Sequence, residues 1–201
     1  MPGRIVTACV VVALALAAAA AAASPEARLA QRLALRASDL GAGWTTAPQQ
    51  SQTVDCGLPR GVKRLAQAAS PDFKQGLGTY VQNFVGVFRT RGEARAAFRY
   101  AVQASTVSCI EDAVRSGWTS PSASRMGFRP RCTSSPCPYR TVAWRLSGSA
   151  TVFFQPVRVV VDYVAAVRGR AVVLFVFAGA AGFDVDEQGL VDRAMSRGSD
   201  R

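Results

Sequence analysis

The sequence predicts an α+β fold: a mainly antiparallel sheet of about five strands with helices packed on one face, stapled by disulfides. Three observations lead there. Segments of strict two-residue alternation crowd the second half, segments of helical period flank them, and the part expected to be exported carries an even number of cysteines.

Taken in order, "SPEARLAQRLALRASDLGAGW" places Leu29, Ala30, Leu33 and Leu40 at helix-compatible spacing, and its glycines end the helix before Trp44. After a polar loop carrying Cys56, "LPRGVKRLAQAAS" sets Val62, Leu65, Ala66 and Ala69 on one helical face, which predicts a second short helix. The period then changes. In "GTYVQNFVGVFRT", Tyr80, Gln82, Phe84, Gly86 and Phe88 alternate with Val81, Asn83, Val85 and Val87, the pattern of a largely buried strand. "RGEARAAFRYAVQASTVSCIEDAV" returns to helical spacing with Ala94, Phe98, Ala101, Val102, Ser105 and Cys109 along one stripe, so one long helix with Cys109 facing inward is expected.

The second half reads as strands. "SASRMGFRPR" alternates Met126 and Phe128 against Arg125, Gly127, Arg129 and Arg131, while "RTVAWRLSG" alternates Val142, Trp144 and Leu146 against Thr141, Ala143, Arg145 and Ser147; both predict half-buried strands. "VRVVVDYVAAVRGRAVVLFVFAGA" gives two apolar strands joined at Arg168 and Gly169, and a closing helix is expected from about Asp186 to Ser196.

The first residues suggest an address. Arg4 precedes an uncharged, mostly apolar run from Ile5 to Ala23, and Ala21, Ala22 and Ala23 offer the small side chains a signal peptidase requires. Residues 1–23 are therefore expected to be a secretory signal peptide and residues 24–201 a single exported domain. A retained anchor is the rival reading, because the run nearly reaches the ~20 residues that span a bilayer, but alanine partitions weakly into lipid. No stable membrane span is expected after cleavage, and a secreted or cell-envelope location follows.

Basic residues number 24 against 13 acidic ones, and the formal charge is +11. Only Lys63 and Lys74 are lysines. The arginines spread over the whole chain without the clustered charge and interleaved aromatics of a nucleic-acid binder, so no nucleic acid is expected as partner. Outside the cell, a basic protein is instead drawn to anionic wall polymers and lipid headgroups.

With Cys9 in the signal segment, the mature chain holds Cys56, Cys109, Cys132 and Cys137. Four cysteines allow three pairings. Cys132 and Cys137 bracket the turn-prone "TSSP", which can bring them within bonding reach and leaves Cys56 to Cys109 as the second bond. A zinc site would need four ligands in close pairs or with histidine, and a redox pair would show CxxC spacing; neither pattern is present.

The chain contains no histidine, which excludes Ser-His-Asp and Cys-His catalysis and removes the commonest metal ligand. No cofactor or metal is expected. "FDVDEQG" begins like a calcium loop, but its twelfth position would be Met195 instead of a bidentate glutamate, so it reads as a helix cap with Asp184 as N-cap and Glu187 three residues on. Glu111 and Asp112 occupy neighbouring helix positions and diverge. Trp44, Trp118 and Trp144 are expected in the core, with an apolar cleft as the alternative. The remaining candidate for binding is an arginine face. Arg125, Arg129 and Arg131 share one side of an expected strand, with Arg145 on the polar side of the next, and guanidinium groups hold phosphate or carboxylate bidentately. A solvated sheet face is the plainer reading of the same residues.

Three stretches carry a resemblance: "LRASDLGAGW", "VGVFRTRGEARAAFRYAVQASTVSC", and "VDYVAAVRGRAVVLFVFAG" before the final helix. Together they resemble the extracellular sensor domain of PknH-type actinobacterial kinases, over most of the mature chain. The resemblance implies an α/β domain with two disulfides and a cleft for an unidentified ligand, in a stand-alone exported relative. It carries over no functional residue. The expected function is a non-catalytic ligand-binding or sensor-like domain of the cell envelope, whose ligand is an anionic polymer or headgroup. A basic wall- or membrane-surface structural protein without a pocket and a hydrolase using carboxylates are the alternatives.

Overall fold

Alternation along Thr79–Phe88 makes this segment, β4, the strand around which the sheet is built, since both of its faces carry side chains that need burial. A computed structural model describes residues 23–47, 56–76, 78–115, 118–132, 136–152 and 154–198. The expected signal peptide lies outside the described residues, apart from Ala23.

In chain order the other elements are α1 (Pro25–Leu33), a 3₁₀ turn (Ala37–Asp39), β1 (Trp44–Ala47), β2 (Arg64–Ala69), β3 (Asp72–Gln75), α2 (Arg91–Ala101), α3 (Ala104–Arg115), β5 (Thr119–Met126), β6 (Arg140–Val152), β7 (Gln155–Arg168), β8 (Ala171–Ala180) and α4 (Glu187–Ser196). The sheet runs β1-β3-β4-β8-β7-β6-β5, and β2 pairs with β4 beyond the end of β3. Every pairing is antiparallel. Thus eight strands form among the described residues where about five were expected.

The largest departure is β2. Residues expected to be a helix pair instead with β4, Ala66 opposite Val87 and Ala68 opposite Val85. Helix propensity, even that of alanine, amounts to less than about 1 kcal/mol per residue, and β4 offers an unpaired edge to an extended chain. Tertiary pairing overrides the local preference.

The long helix divides as well. α2 ends at Ala101, the chain turns through Val102 and Gln103, and α3 starts at Ala104. The stretch around the break is rich in Val, Ser and Thr, which lower helix propensity. The Thr106 hydroxyl donates to the Tyr100 carbonyl at 2.7 Å, satisfying an acceptor at the end of α2.

Helices lie on both faces of the sheet, which corrects the one-face expectation. Leu29, Ala30 and Leu33 of α1 and Leu190, Val191, Ala194 and Met195 of α4 pack with Val81, Val85, Val164, Val173 and Phe175. On the opposite face, Ala94 and Ala97 of α2 pack with Phe88 and Val167, and Val107 and Ile110 of α3 pack with Leu146 and Val161. The physical reason lies in β4, β7 and β8, whose side chains are apolar on both sides of the pleat. Trp44, Trp118 and Trp144 are partly buried against these clusters, in keeping with the core reading.

Two connections fix the site described below. β7 and β8 join through Gly169 and Arg170, where Gly169 supplies the positive φ of +55° that a two-residue hairpin loop demands at its first position. Asn83, wholly buried on β4, donates to the Leu33 carbonyl and accepts from the Leu35 amide, both at 2.9 Å, which ties the end of α1 to the sheet.

The structure joins Cys56 to Cys109 and Cys132 to Cys137. The first bond links the chain ahead of β2 to α3, so α3 is held from outside the sheet; the second closes a short loop before β6.

Candidate functional site

The four arginines expected to share a face do not converge. β5 pairs with β6 in a register that sets Ser124 opposite Arg145 and Arg125 opposite Trp144, so Arg125 and Arg145 occupy opposite faces of the sheet. β5 ends at Met126, which leaves Arg129 and Arg131 beyond the strand. Arg129 is exposed. Arg131 is spent on α4: its amide donates to Asp192 Oδ2 at 2.9 Å, its Nε to Gln188 Oε1 at 2.7 Å and its Nη1 to Asp186 Oδ1 at 3.3 Å. These bonds strap the loop after β5 to the final helix. Asp186, and not Asp184, is the N-cap of that helix, accepting from the Gly189 amide at 3.0 Å.

Arg145 is committed to a carboxylate. Its Nε and Nη2 donate to Asp162 Oδ1 and Oδ2 at 2.8 and 2.6 Å, a bidentate fork on a residue that is 0% exposed. The bond with Asp162 raises the affinity of the guanidinium for its proton. Glu187, in the first turn of α4, stands beside the same Asp162. Burial first, then a hydrogen bond with Asp162, push its carboxyl from the ordinary 4.5 up to about 8. Asp162 takes both donors of the guanidinium, and Glu187 beside it, without an ion pair among the described residues, is pushed toward its protonated form at neutral pH. The cluster lines neither of the two cavities described below. Tyr163 points to the other face, where burial raises its hydroxyl to about 12.

A different set of arginines does converge. At the end of the sheet where β6 begins and β7 turns into β8, a groove of about 490 Å³ runs between α2 and the β7–β8 turn. One wall is the arginine row of α2, Arg91, Arg95 and Arg99, with Phe98 between them; the other carries Pro138, Tyr139, Arg140, Val167, Arg168 and Gly169. Arg168 donates to the Met195 carbonyl at the end of α4, so one of its edges is held. Arg91, Arg95, Arg99 and Arg140 meet no carboxylate among the described residues. The one acid of α2, Glu93, turns away to Arg89, accepting from its amide at 3.0 Å and its guanidinium at 3.1 Å. Among the described residues no acid lines the groove.

Local sequence explains the wall. Thr90 caps α2 by accepting from the Glu93 amide at 3.1 Å, and Ala94 and Ala97 bury against the sheet. That orientation leaves positions 91, 95 and 99 to the solvent side, one above another at four-residue spacing. The opposite wall is placed by the hairpin turn at Gly169 and by the Cys132–Cys137 loop, which delivers Tyr139 and Arg140 to the start of β6. The spacing of the row is visible in "RGEARAAFR". Attention to the apolar stripe of the same helix passes over it.

A second cavity of about 410 Å³ is lined by Pro25, Arg28, Gln31, Arg32 and Arg36. All belong to α1 and the residues after it, and Arg28 donates to the Ala23 carbonyl. It has one wall, where the groove has two.

No protein-family description matches this chain, and no curated protein matches it. Among solved structures, the extracellular domain of PknH from Mycobacterium tuberculosis is similar, with 13% identity and a TM-score of 0.48 over 85% of this chain and 96% of that one. The functional reading therefore rests on the residues of this chain.

Proposed function

We propose that the chain is an extracytoplasmic, non-catalytic binding domain of sensor-like type, and that its groove between α2 and the β7–β8 turn takes an anionic ligand. One observation carries the reading: four guanidinium groups that meet no carboxylate among the described residues face a shared groove lined by no described acid. Guanidinium binds phosphate or carboxylate through paired donors without exchanging a proton, which suits recognition and not turnover. Two disulfides support a location outside the cytoplasm, where such bonds persist. Of the carboxylates that could support a hydrolase, Asp162 is held by Arg145 with Glu187 beside it, and neither lines either of the two cavities described.

The test compares two variants of equal net charge. Titrations of inorganic tripolyphosphate and of a glycerol phosphate polymer into the protein should weaken at least ~10-fold on replacing Arg95 and Arg99 by glutamine, and less than ~2-fold on replacing Arg28 and Arg32, because only the first pair faces the two-walled groove. Equal losses would favour the rival reading, a basic surface protein attracted to anions over its whole face.

A further inference from the structure

We infer that the groove is built for a linear phosphodiester chain that lacks bases, read as a row of charges and not as a single compact anion. This rests on the groove being the binding site. The α2 arginines stand four residues apart, and at 1.5 Å per residue successive guanidinium groups are anchored about 6 Å apart along the axis, about 12 Å from Arg91 to Arg99. A single phosphate can be gripped by two or three guanidiniums only if they close on one point. A row of this length instead meets several negative groups in succession, and Arg140 and Arg168 face it from the other wall.

The helix also bears a cost for the arrangement. Like charges at four-residue spacing destabilise a helix, and the only acid on α2 is turned to Arg89. A helix placed only to cover the sheet needs Ala94 and Ala97 but not the row. The row acquires its counter-charges only when an extended anion lies along it.

Stacking chemistry narrows the class. Proteins that bind single-stranded nucleic acid combine a basic groove with exposed aromatic platforms for the bases. Here the lining holds two aromatic residues: Tyr139 is buried in the core, and Phe98 is half-buried against the cluster of Phe88, Ala94, Ala97 and Val167. The groove can hold charges along a backbone and offers a row of bases no series of exposed rings, which fits a polymer of glycerol phosphate or sugar phosphate repeats.

The experiment measures binding of glycerol phosphate monomer, of a trimer and of a chain of about ten repeats at equal total phosphate, against salt concentration. Expected is a steep gain from monomer to trimer and, for the chain, a slope of log K against log salt near −3, as about four neutralised phosphates on a flexible single strand require. Arg95→Gln, Arg99→Gln and Arg140→Gln should each lower the slope by about 0.7, with thermal melts confirming that each variant is folded. A monomer that binds as well as the chain, with a slope near −1 that still falls in R95Q, would overturn the row and keep the groove as a compact-anion site. A chain whose binding ignores all three substitutions would overturn both readings. A deoxythymidine oligonucleotide of the same charge number should bind no more tightly than the glycerol phosphate chain; tighter binding by ~10-fold or more would overturn the base-free class.

Discussion

Glutamine in place of Glu187 should stabilise the protein at alkaline pH and remove most of its pH dependence between about 4.5 and 8. Glu187 stands beside the wholly buried Asp162, which already occupies the Arg145 fork. Because burial and the hydrogen bond with Asp162 hold its carboxyl at about 8 instead of 4.5, the folded protein keeps a proton that the unfolded chain releases. Between those two values the unfolded state binds fewer protons, so stability falls as pH rises and levels off above about 8. Fully sealed from water, a change of this size would correspond to ~5 kcal/mol at 1.36 kcal/mol per unit. Glu187 is only partly buried, and screening by solvent reduces the expected loss to about 2 kcal/mol. Glutamine retains an N–H that can donate to Asp162 and cannot ionise.

Urea denaturation at pH 5, 7 and 9 reads the difference. Native and E187Q proteins should have similar stability near pH 5, with the variant ahead by about 2 kcal/mol at pH 9. The window is unusually clean, since the chain has no histidine and Tyr163 titrates only near 12. Raised by burial, Asp192 adds a loss of the same sign, and it is common to both proteins. Parallel profiles, or a variant weaker at every pH, would refute the shared proton.

The other expectations concern the supports of the fold. Arg145→Gln leaves Asp162 buried without its charge partner and should cost about 3–5 kcal/mol in denaturant melts, the usual penalty of breaking a buried pair. Asn83→Leu strands the Leu33 carbonyl and Leu35 amide, which should cost about 2–6 kcal/mol at about 1–3 kcal/mol per unpaired group while leaving anion binding intact. Tyr139→Phe removes a buried hydroxyl that finds no acceptor among the described residues, so its melting temperature should hold or rise. Replacing Cys56 and Cys109 by serine should cost roughly 4 kcal/mol and replacing Cys132 and Cys137 roughly 2, because the longer loop loses more chain entropy.

How much of this was legible depended on how directly each pattern reports its own environment. Alternation in β4 and the apolar hairpin of β7 and β8 was plain, because strands covered on both faces leave few polar positions to blur it. β2 was not, since its alanines suit helix or strand and only the open edge of β4 decides between them. The arginine face failed on register. Alternation was read correctly up to Met126 and along β6, but the strand ends before Arg129 and Arg131, and pairing Arg125 with Trp144 sets Arg145 against Ser124, a shift of one that sends the two arginines to opposite faces. A lone acid in "VRVVVDYVAAV" was the available signal for the Arg145 fork, because a carboxylate in so apolar a strand must find a cation. The groove needed the fold itself: Arg140 lies far along the chain from α2, and only the hairpin turn at Gly169 and the start of β6 bring it opposite the row.

The surplus of basic residues gains meaning from where the acids are used. Glu26 meets Arg170, Asp39 meets Arg197, Glu93 meets Arg89, Asp162 meets Arg145, and Asp186 meets Arg131 and Arg193. Several of these pairs fasten the sequence-distant ends of the fold: Arg170 holds the start of α1 to the β7–β8 turn, and Arg197 forks onto Asp39 while donating to the Arg32 and Ala34 carbonyls. Acids are thus spent on architecture. A compositional excess of arginine would leave its unmatched members scattered, each well solvated and far from the next. At the groove four guanidiniums unmatched among the described residues instead share one end of the sheet, three on a helix whose acid faces away and the fourth, Arg140, at the start of β6, beside a turn that brings Arg168 as a fifth. Repulsion among them is relieved by splaying of the side chains or by an anion, and α2 fixes the spacing of the backbone positions from which they start. The same net charge therefore produces two different surfaces, a diffuse field over most of the domain and a concentrated demand for counter-charge along α2.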